Sequence, residues 1–456
     1  MVSPQPESQR LTIVLPTTGE FDSRTFRIAS SLAARGHTVT VIARRARDLP
    51  DQELHPAGYR LVRVGWDPVD GLPGPIRPLV RRLPRGVRSE SAGGVSDSLA
   101  PVATGDPVRA SAPLWRRAVR RTSRLASRAG ASALRLVAIG LTVRSQGAAA
   151  LRVAPRADLV HAMAYMGIPV GLRLGRRDGV PVVYDARDIY VDAQNIARMP
   201  GPLRAVFARI ERGWARAASR IVTVNAPYGE VMAGRWGVPM PAVVLNCSSR
   251  QLAPATAARR FHERLGLNSA ARVVLYQGGF SRDRGIEQLL EAIRSIVDAV
   301  LVLLGYGVLA GEIQHRIEAD GLAHRAFVIS GVPPDELLGW VASADVVAIP
   351  IQPSSLNHRL TTPNKLFEAM AVGVPVVAAD LPGMATIVRE TGCGILCDPS
   401  EPASIAAAVR AILDGPEAER AAMRARALAA AHEQYNWEAQ LDVLVAEYTR
   451  LTGKPW

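Results

Sequence analysis

The chain has 456 residues and a mass of 48.8 kDa, with 48% hydrophobic and 21% charged residues and a mean hydropathy of +0.08. That length favours two to four domains, and the composition excludes wholesale disorder, collagen-like repeats and a disulfide scaffold. The net charge of +14 is local: between residues 71 and 156, 16 Arg against three acids (Glu90, Asp97, Asp106) give +13, leaving +1 for everything else. Three cysteines (Cys247, Cys393, Cys397) cannot staple a chain this long and suit a reducing compartment. The N-terminal MVSPQPESQR has no apolar h-region, and no run of about 18 uncharged apolar residues occurs, so a cytoplasmic location is expected.

Residues 11–15 (LTIVL) form a short apolar run, followed by the turn PTTGEFD and an amphipathic helical stretch over 23–34 with Phe26, Ala29, Leu32 and Ala33 on one face. Gly36 ends that helix and TVTVI (38–42) returns as a β-branched strand, which makes a βαβ unit and implies a buried parallel sheet. A third strand is expected at 59–64. The pattern then lapses for about ninety residues and resumes with strands at 158–161 and 180–184, a helix at 203–218, and strands at 221–224 and 242–245. In that helix Leu203, Val206, Phe207, Ile210 and Trp214 recur at helical spacing, which predicts one face packed on the sheet.

Residues 246–260 are polar and Pro-interrupted and read as a linker. A second series of strands (VVLYQ, AVLVLL, FVIS, VVAIP, PVVAA) then alternates with helices at 285–296, 308–320, 334–342 and 363–372. Their near-continuous apolar runs suit strands covered on both faces. Helices at 401–413, 417–433 and 436–452 close the chain, the last segment (431–456) expected to pack back on the first domain. The fold class is α/β: two Rossmann-like, doubly wound parallel-sheet domains facing a cleft, with a first domain over 1–245 and a second over 261–430.

The most informative string is PNKLFEAMAVGVPVV (363–377). A Pro at the helix start, an acid one turn in and a β-run after the helix make a loop–helix–strand unit whose helix N-terminus attracts an anion. Lys365 adds a full charge there. Glu368, a carboxylate among Leu366, Phe367 and Met370, suits the paired hydroxyls of a ribose, or caps a partly exposed helix.

PNKLFEAMAVGVPVVAADLPGM resembles the donor-site signature of GT-B-fold, family-4-type retaining glycosyltransferases. So do Gln277-Gly278-Gly279-Phe280 with Arg284-Gly285, the loop Leu304-Gly305-Tyr306-Gly307, and TGCGILCDP. DSRTFRIASSLAARGHTVTVIAR and VYDARDIYVD are similar to the same family in the first half. The resemblance implies a hexosyl transfer from a nucleotide-diphospho-sugar to an acceptor hydroxyl, with retention. By the same resemblance Glu368 holds the ribose and Arg284 neutralises the leaving diphosphate, while Gly278, Gly279, Gly305, Gly307, Arg282 and Asn364 line the donor site with Lys365. No D-x-D occurs in the chain, so metal independence and no cofactor are expected. Three positions depart from the family pattern: Gly279 stands where an Arg is frequent, Leu360 where a first acid is frequent, and Arg187 where a His is usual.

On the acceptor side the candidates are Gly19, Arg24, His161, Asp185, Arg187 and Asp188. Arg24 meets an anionic acceptor group or is a solvated helix arginine. Asp185 and Asp188 follow a strand end, where site residues collect, or only cap a helix. His161 contacts the sugar or satisfies a core hydrogen bond. Cys393 and Cys397, without a nearby His, read as small buried residues.

Residues 71–110 read as a loop, and 115–143 as a helix with Arg117, Arg121, Arg124, Arg128 and Arg135 on one side. Such a helix suits an anionic membrane surface, or packs its Ala-rich face on the first domain. A lipid-linked acceptor and peripheral contact with the inner face of the cell membrane follow as expectations. Nucleic acid is not an expected partner, because aromatics are 5% of the chain and are not interleaved with the arginines. The rival functions are a sugar-nucleotide epimerase of the same fold and a basic membrane- or nucleic-acid-binding protein. A dinucleotide oxidoreductase is disfavoured: Gly305-x-Gly307-x-x-Ala310 follows the second strand of its half, and the first strand lacks the motif.

Overall fold

The computed structural model describes residues 8–20, 22–46, 48–65, 114–250 and 259–456. The chain divides into two units: Met1–Val222 with Met232–Pro241 and Ala446–Trp456, and Thr223–Val231 with Ala242–Val445. The chain thus passes between units several times rather than once near residue 245.

In the first unit the strands are β1 (Arg10–Val14), β2 (Thr38–Arg44), β3 (Gln52–Leu54), β4 (Arg60–Val64), β5 (Leu159–Met163), β6 (Val182–Ala186) and β7 (Arg220–Thr223), in the order β3–β4–β2–β1–β5–β6–β7. β1 pairs in parallel with both β2 and β5, and the short β3 is antiparallel to β4. The strand order reverses between β1 and β5. Helix α1 (Ser23–Ala34) buries Arg24, Thr25, Ile28, Ala29 and Leu32. Phe26, expected on that face, is instead 43% exposed and meets His55 edge-on at 5.6 Å.

The expected helix at 115–143 is part of α2 (Leu114–Val153). The Arg117, Arg121, Arg124, Arg128 and Arg135 side chains and the 71–110 segment lie outside the described residues. Helix α3 (Ala164–Asp178) follows β5 and is not evident in the sequence, because Gly167, Pro169, Gly171 and Gly175 depress its propensity. Those glycines let it lie close to the sheet: a Cβ on Gly171 would stand 2.7 Å from Ala162 Cβ. Helix α4 (Gly201–Ala217) buries Phe207, Glu211 and Ala215, whereas Val206 and Ile210 are 50% and 44% exposed. Its expected apolar face is therefore rotated, and Glu211 points inward to accept a hydrogen bond from Tyr184 Oη at 3.2 Å.

The two-residue β8 (Ala242–Val243) completes the eight-stranded order β3–β4–β2–β1–β5–β6–β7–β8 and opens the longer segment of the second unit. Residues of the expected linker that follow are packed rather than loose: Cys247 is fully buried, and Trp437 N–H donates to the Ser248 carbonyl at 2.9 Å. The parallel sheet contains β9 (Arg272–Gly279), β10 (Ala299–Tyr306), β11 (Ala326–Ile329), β12 (Val346–Ile349), β13 (Val376–Ala379) and β14 (Gly394–Cys397), ordered β11–β10–β9–β12–β13–β14. Alternation sends Val273 and Leu275 into one buried cluster and Val274 and Tyr276 into another on the opposite face. Both faces are covered, which is why these strands read as continuous apolar runs. Helices α5 (Ile286–Ile293) and α6 (Asn364–Ala371) flank the sheet, and α7 (Trp437–Thr452) carries the chain from this unit into the first. The strand order reverses between β9 and β12, so the carboxyl ends of those strands mark the place where open α/β sheets bind ligands.

Candidate functional site

At the carboxyl end of β9 the strand runs from the core into a turn. Tyr276 is fully buried, Gln277 is 3% exposed, and Gly278 takes φ +124°, a backbone conformation that favours glycine. Across from this turn stands the first turn of α6. Lys365 is 8% exposed, and its ammonium lies 3.7 Å from the centroid of the Tyr276 ring. A Cβ on Gly278 would sit 3.5 Å from Lys365 Nζ. Gln277 Nε2 donates to Glu368 Oε2 at 3.3 Å, which fixes the carboxylate one turn along the same helix. Two buried polar atoms here, Lys365 Nζ and Gln277 Oε1, have no hydrogen-bond partner among the described residues. Buried donors and acceptors normally find partners, so this pair, at the strand-order reversal where open α/β sheets bind ligands, makes the corner a candidate ligand position.

The electrostatics follow from burial. Desolvation is the main cause that brings the Lys365 ammonium down to about 7, with the Arg284 charge adding to it and Glu368 opposing. Burial pushes the Tyr276 phenol up to about 12, partly offset by Arg284. His358 is lowered by burial first and by Arg284 second. The Arg284 charge thus acts on Lys365, Tyr276 and His358 alike.

The turn that holds Arg284 is tightly specified. Asp283 has φ +64°, and Gly285 has φ +78° where a Cβ would meet the Pro350 carbonyl oxygen at 2.0 Å. Arg284 Nε donates to Ser281 Oγ at 3.4 Å. A cavity of about 400 Å³ opens beside the turn, lined by Arg282, Asp283, Glu287, Gln288, Gln352 and Ser354.

Gly305 and Gly307 belong to this corner for a packing reason. A Cβ at Gly305 would lie 1.9 Å from the Gly278 carbonyl oxygen, and one at Gly307 2.3 Å from that of Phe280. Both allow the ends of β9 and β10 to approach. Gly279 is exposed, and nothing stands where its Cβ would point. Asn364 opens α6, and its Oδ1 accepts from Asn246 Nδ2 at 2.8 Å. The segment leading to α6 is held by Asn225, whose amide donates to the Leu360 carbonyl at 2.8 Å and to Thr362 Oγ1 at 3.0 Å. Tyr276, Gln277, Asn225 and Asn246 are absent from the sequence-derived set. Only Gln277, a polar residue ending the apolar run VVLY, carried a signal.

In the first unit three of the candidates, Arg24, Asp185 and Arg187, take part in two ion pairs. Arg24 Nε meets Asp185 Oδ2 at 2.7 Å with both side chains at most 1% exposed, and Arg187 meets Asp22 Oδ2 at 2.7 Å. Arg24 is thus not solvated, and Asp185 lies within β6 rather than capping a helix. The N-cap of α1 is Asp22, accepting from Thr25 N–H at 2.9 Å. His161 makes a core hydrogen bond: Nε2 is 3.1 Å from Asp185 Oδ2, and Nδ1 is 2.7 Å from Tyr448 Oη. Burial alone would raise the Asp185 carboxyl, but the Arg24 charge and the His161 hydrogen bond overcome it and hold the group far below the usual carboxylate range. The Arg187 guanidinium loses solvation yet is held more firmly protonated by Asp22. Asp188 is close enough for its charge to raise the Tyr190 phenol, after burial. Gly19 has φ +92° in the turn after β1, with Leu61 3.2 Å from where its Cβ would be.

Two doubly wound parallel-sheet units, one with a cationic and carboxylate corner at its strand-order reversal, define a GT-B fold. Residues 258–429 match the family model described as glycosyl transferases group 1. The chain is 28% identical over 314 residues to D-inositol 3-phosphate glycosyltransferase of Xylanimonas cellulosilytica, covering 65% of this chain and 73% of that protein. It is 26% identical over 306 residues to 2-deoxystreptamine glucosyltransferase of Streptomyces kanamyceticus, covering 64% and 75%. Among solved structures, sucrose-phosphate synthase of Thermosynechococcus elongatus superposes with TM-score 0.68 at 18% identity, over 98% of this chain and 99% of that one. Anabaena Alr3699/HepE in complex with UDP-glucose superposes with TM-score 0.63 at 18% identity, over 97% and 100%. The match over residues 258–429, the similar proteins and the fold together identify a glycosyltransferase with the GT-B fold.

Proposed function

We propose that the protein transfers a hexosyl group from a nucleotide-diphospho-sugar to an acceptor hydroxyl, with retention and without a metal ion. The observation that carries this reading is the corner at the end of β9. There a buried ammonium with no hydrogen-bond partner among the described residues, the charge of Arg284 and a helix N-terminus come together beside a carboxylate that Gln277 orients. Diphosphate oxygens suit Lys365 and Arg284, and vicinal ribose hydroxyls suit Glu368. The two cations would stabilise the charge that develops on the departing diphosphate, the task a divalent ion performs in other sites. Retention rests on the resemblance of the 363–377 string.

The curated relatives named for their acceptors act on ring polyols, so inositol phosphates and aminocyclitols are the first acceptors to test. A lipid-linked acceptor and peripheral membrane contact remain part of the proposal. They are supported by α2, whose 40 residues contain no acid and which exposes Leu134 and Val137 at 62% and 57%. Calorimetry with UDP, GDP and ADP, followed by mass spectrometry of products from the matching sugar nucleotides, tests the donor. Anomeric protons in the NMR spectrum report retention, EDTA is expected to leave turnover unchanged, and co-sedimentation with anionic vesicles tests the membrane contact. A protein that binds no nucleoside diphosphate, or is stabilised by NAD alone, overturns the reading.

A further inference from the structure

Tyr276 does not belong to the set of residues that the sequence singles out, yet it touches both halves of the candidate donor corner. It sits in β9 two residues before Gly278, fully buried, with its ring against Phe280 at a centroid distance of 6.3 Å. One face of the ring lies 3.7 Å from Lys365 Nζ, and the hydroxyl donates to the Gly279 carbonyl oxygen at 2.9 Å. Among the described residues the Lys365 ammonium has no hydrogen-bond acceptor, and the ring face is its direct partner there. A leucine would fill the same apolar space, but it could offer neither a π-face nor a donor.

We propose that Tyr276 is a positioning residue of the donor site: its ring holds the Lys365 ammonium over Gly278, and its hydroxyl fixes the Gly279 carbonyl. One side chain thereby sets both the cation and the backbone turn that a diphosphate meets. This rests on the nucleotide-sugar reading above. The charged and titratable groups that face Lys365 are Arg284 from the turn after β9, Glu368 from its own helix and Tyr276 itself. Burial keeps the phenol neutral, so its hydroxyl stays a donor at working pH.

The test uses the scarcity of lysine. The chain has two, Lys365 and Lys454, so ¹³Cε-lysine labelling of the full-length protein yields two signals, assigned by Lys365→Arg. In the wild type the Lys365 signal is expected upfield of Lys454 from the ring current and to titrate at lower pH. Tyr276→Phe keeps both features and weakens UDP binding modestly by freeing the Gly279 carbonyl. Tyr276→Leu abolishes the upfield shift, moves the Lys365 midpoint to still lower pH, and weakens UDP binding several-fold, because the ammonium is less often charged and no longer held over Gly278. In a Lys365→Arg background, whose guanidinium does not titrate, no midpoint remains and UDP affinity loses its alkaline decline.

A wild-type Lys365 signal at the ordinary position overturns the inference, and so does an unmoved midpoint in Tyr276→Leu. Should Tyr276→Leu not fold, the wild-type and Tyr276→Phe spectra decide, since loss of the upfield shift in either contradicts the geometry. If the shift is present but UDP, GDP and ADP all fail to bind, the donor reading fails and this role fails with it. If UDP binds with equal affinity to wild type and Tyr276→Leu, only the role of Tyr276 fails.

Discussion

Replacing Lys365 by methionine should move stability and ligand binding in opposite directions. The side chain is 92% buried by area, and burial brings its ammonium from 10.5 to about 7. A depression of about 3.5 units corresponds to roughly 4–5 kcal/mol of folding penalty near neutral pH, at 1.36 kcal/mol per unit. The cation–π contact with Tyr276 returns about 2 kcal/mol when desolvated, leaving a net of roughly 2–3 kcal/mol against the folded state. Methionine matches the shape without the charge, so Lys365→Met is expected to raise the melting temperature of the second unit by roughly 4–12 °C, at about 2–4 °C per kcal/mol for a unit of this size.

The sign also follows from pH. The folded-state value lies below the unfolded one, so between pH 7 and about 10.5 the unfolded chain binds more protons and wild-type stability rises with pH. Lys365→Met lacks that rise. UDP binding should meanwhile weaken by about 10- to 150-fold at pH 6.5, the loss of one charge-assisted hydrogen bond of 1.5–3 kcal/mol. Differential scanning calorimetry and isothermal titration over pH 6–9 measure both. A destabilised Lys365→Met variant, or one that binds UDP as the wild type does, refutes the reasoning.

Glu368→Ala should lower affinity for the nucleoside diphosphate by about 10²-fold with unchanged circular dichroism, because a charged acceptor to two hydroxyls is lost while the side chain is only half-buried; calorimetry reports it. Arg284→Ala should slow turnover by roughly 2–4 kcal/mol with a smaller effect on donor affinity, seen in single-turnover kinetics. Asp185→Ala removes the carboxylate that meets both the buried Arg24 guanidinium and His161 Nε2, which should destabilise the first unit by about 3–5 kcal/mol in urea unfolding. Its carboxyl is held low in the folded state, so the wild-type contribution is complete above about pH 4 and is lost only as pH falls further. Gly285→Ala should compromise folding of the second unit, since its Cβ would enter the Pro350 carbonyl at positive φ; thermal unfolding checks it.

The two α/β series were legible because local rules and global packing agree. Parallel strands covered on both faces must be apolar throughout, and VVLY, AVLVLL and PVVAA announce themselves by that alone. Lys365 and Glu368 were legible for a related reason: a helix start with a lysine and an acid one turn on leaves little other use for two charges in an apolar segment. The glycines at 278, 285, 305 and 307 were visible as turns, but their requirement comes from neighbours distant in sequence, such as Pro350 for Gly285.

Chain order alone determined the fold class, the charge distribution and the Pro363–Val377 unit, because periodicity, capping and turn chemistry act over a few residues. Tertiary structure decided which charges are used and where. Arg24 and Asp185 stand 161 positions apart and His161 and Tyr448 287 apart, so no spacing rule could pair them. It also turned α4 so that Glu211 lies inside and Val206 outside, and it set Tyr276 beneath Lys365. The free energy of a buried charge depends on whichever partner the fold delivers to it, and that partner is fixed only when distant segments have packed.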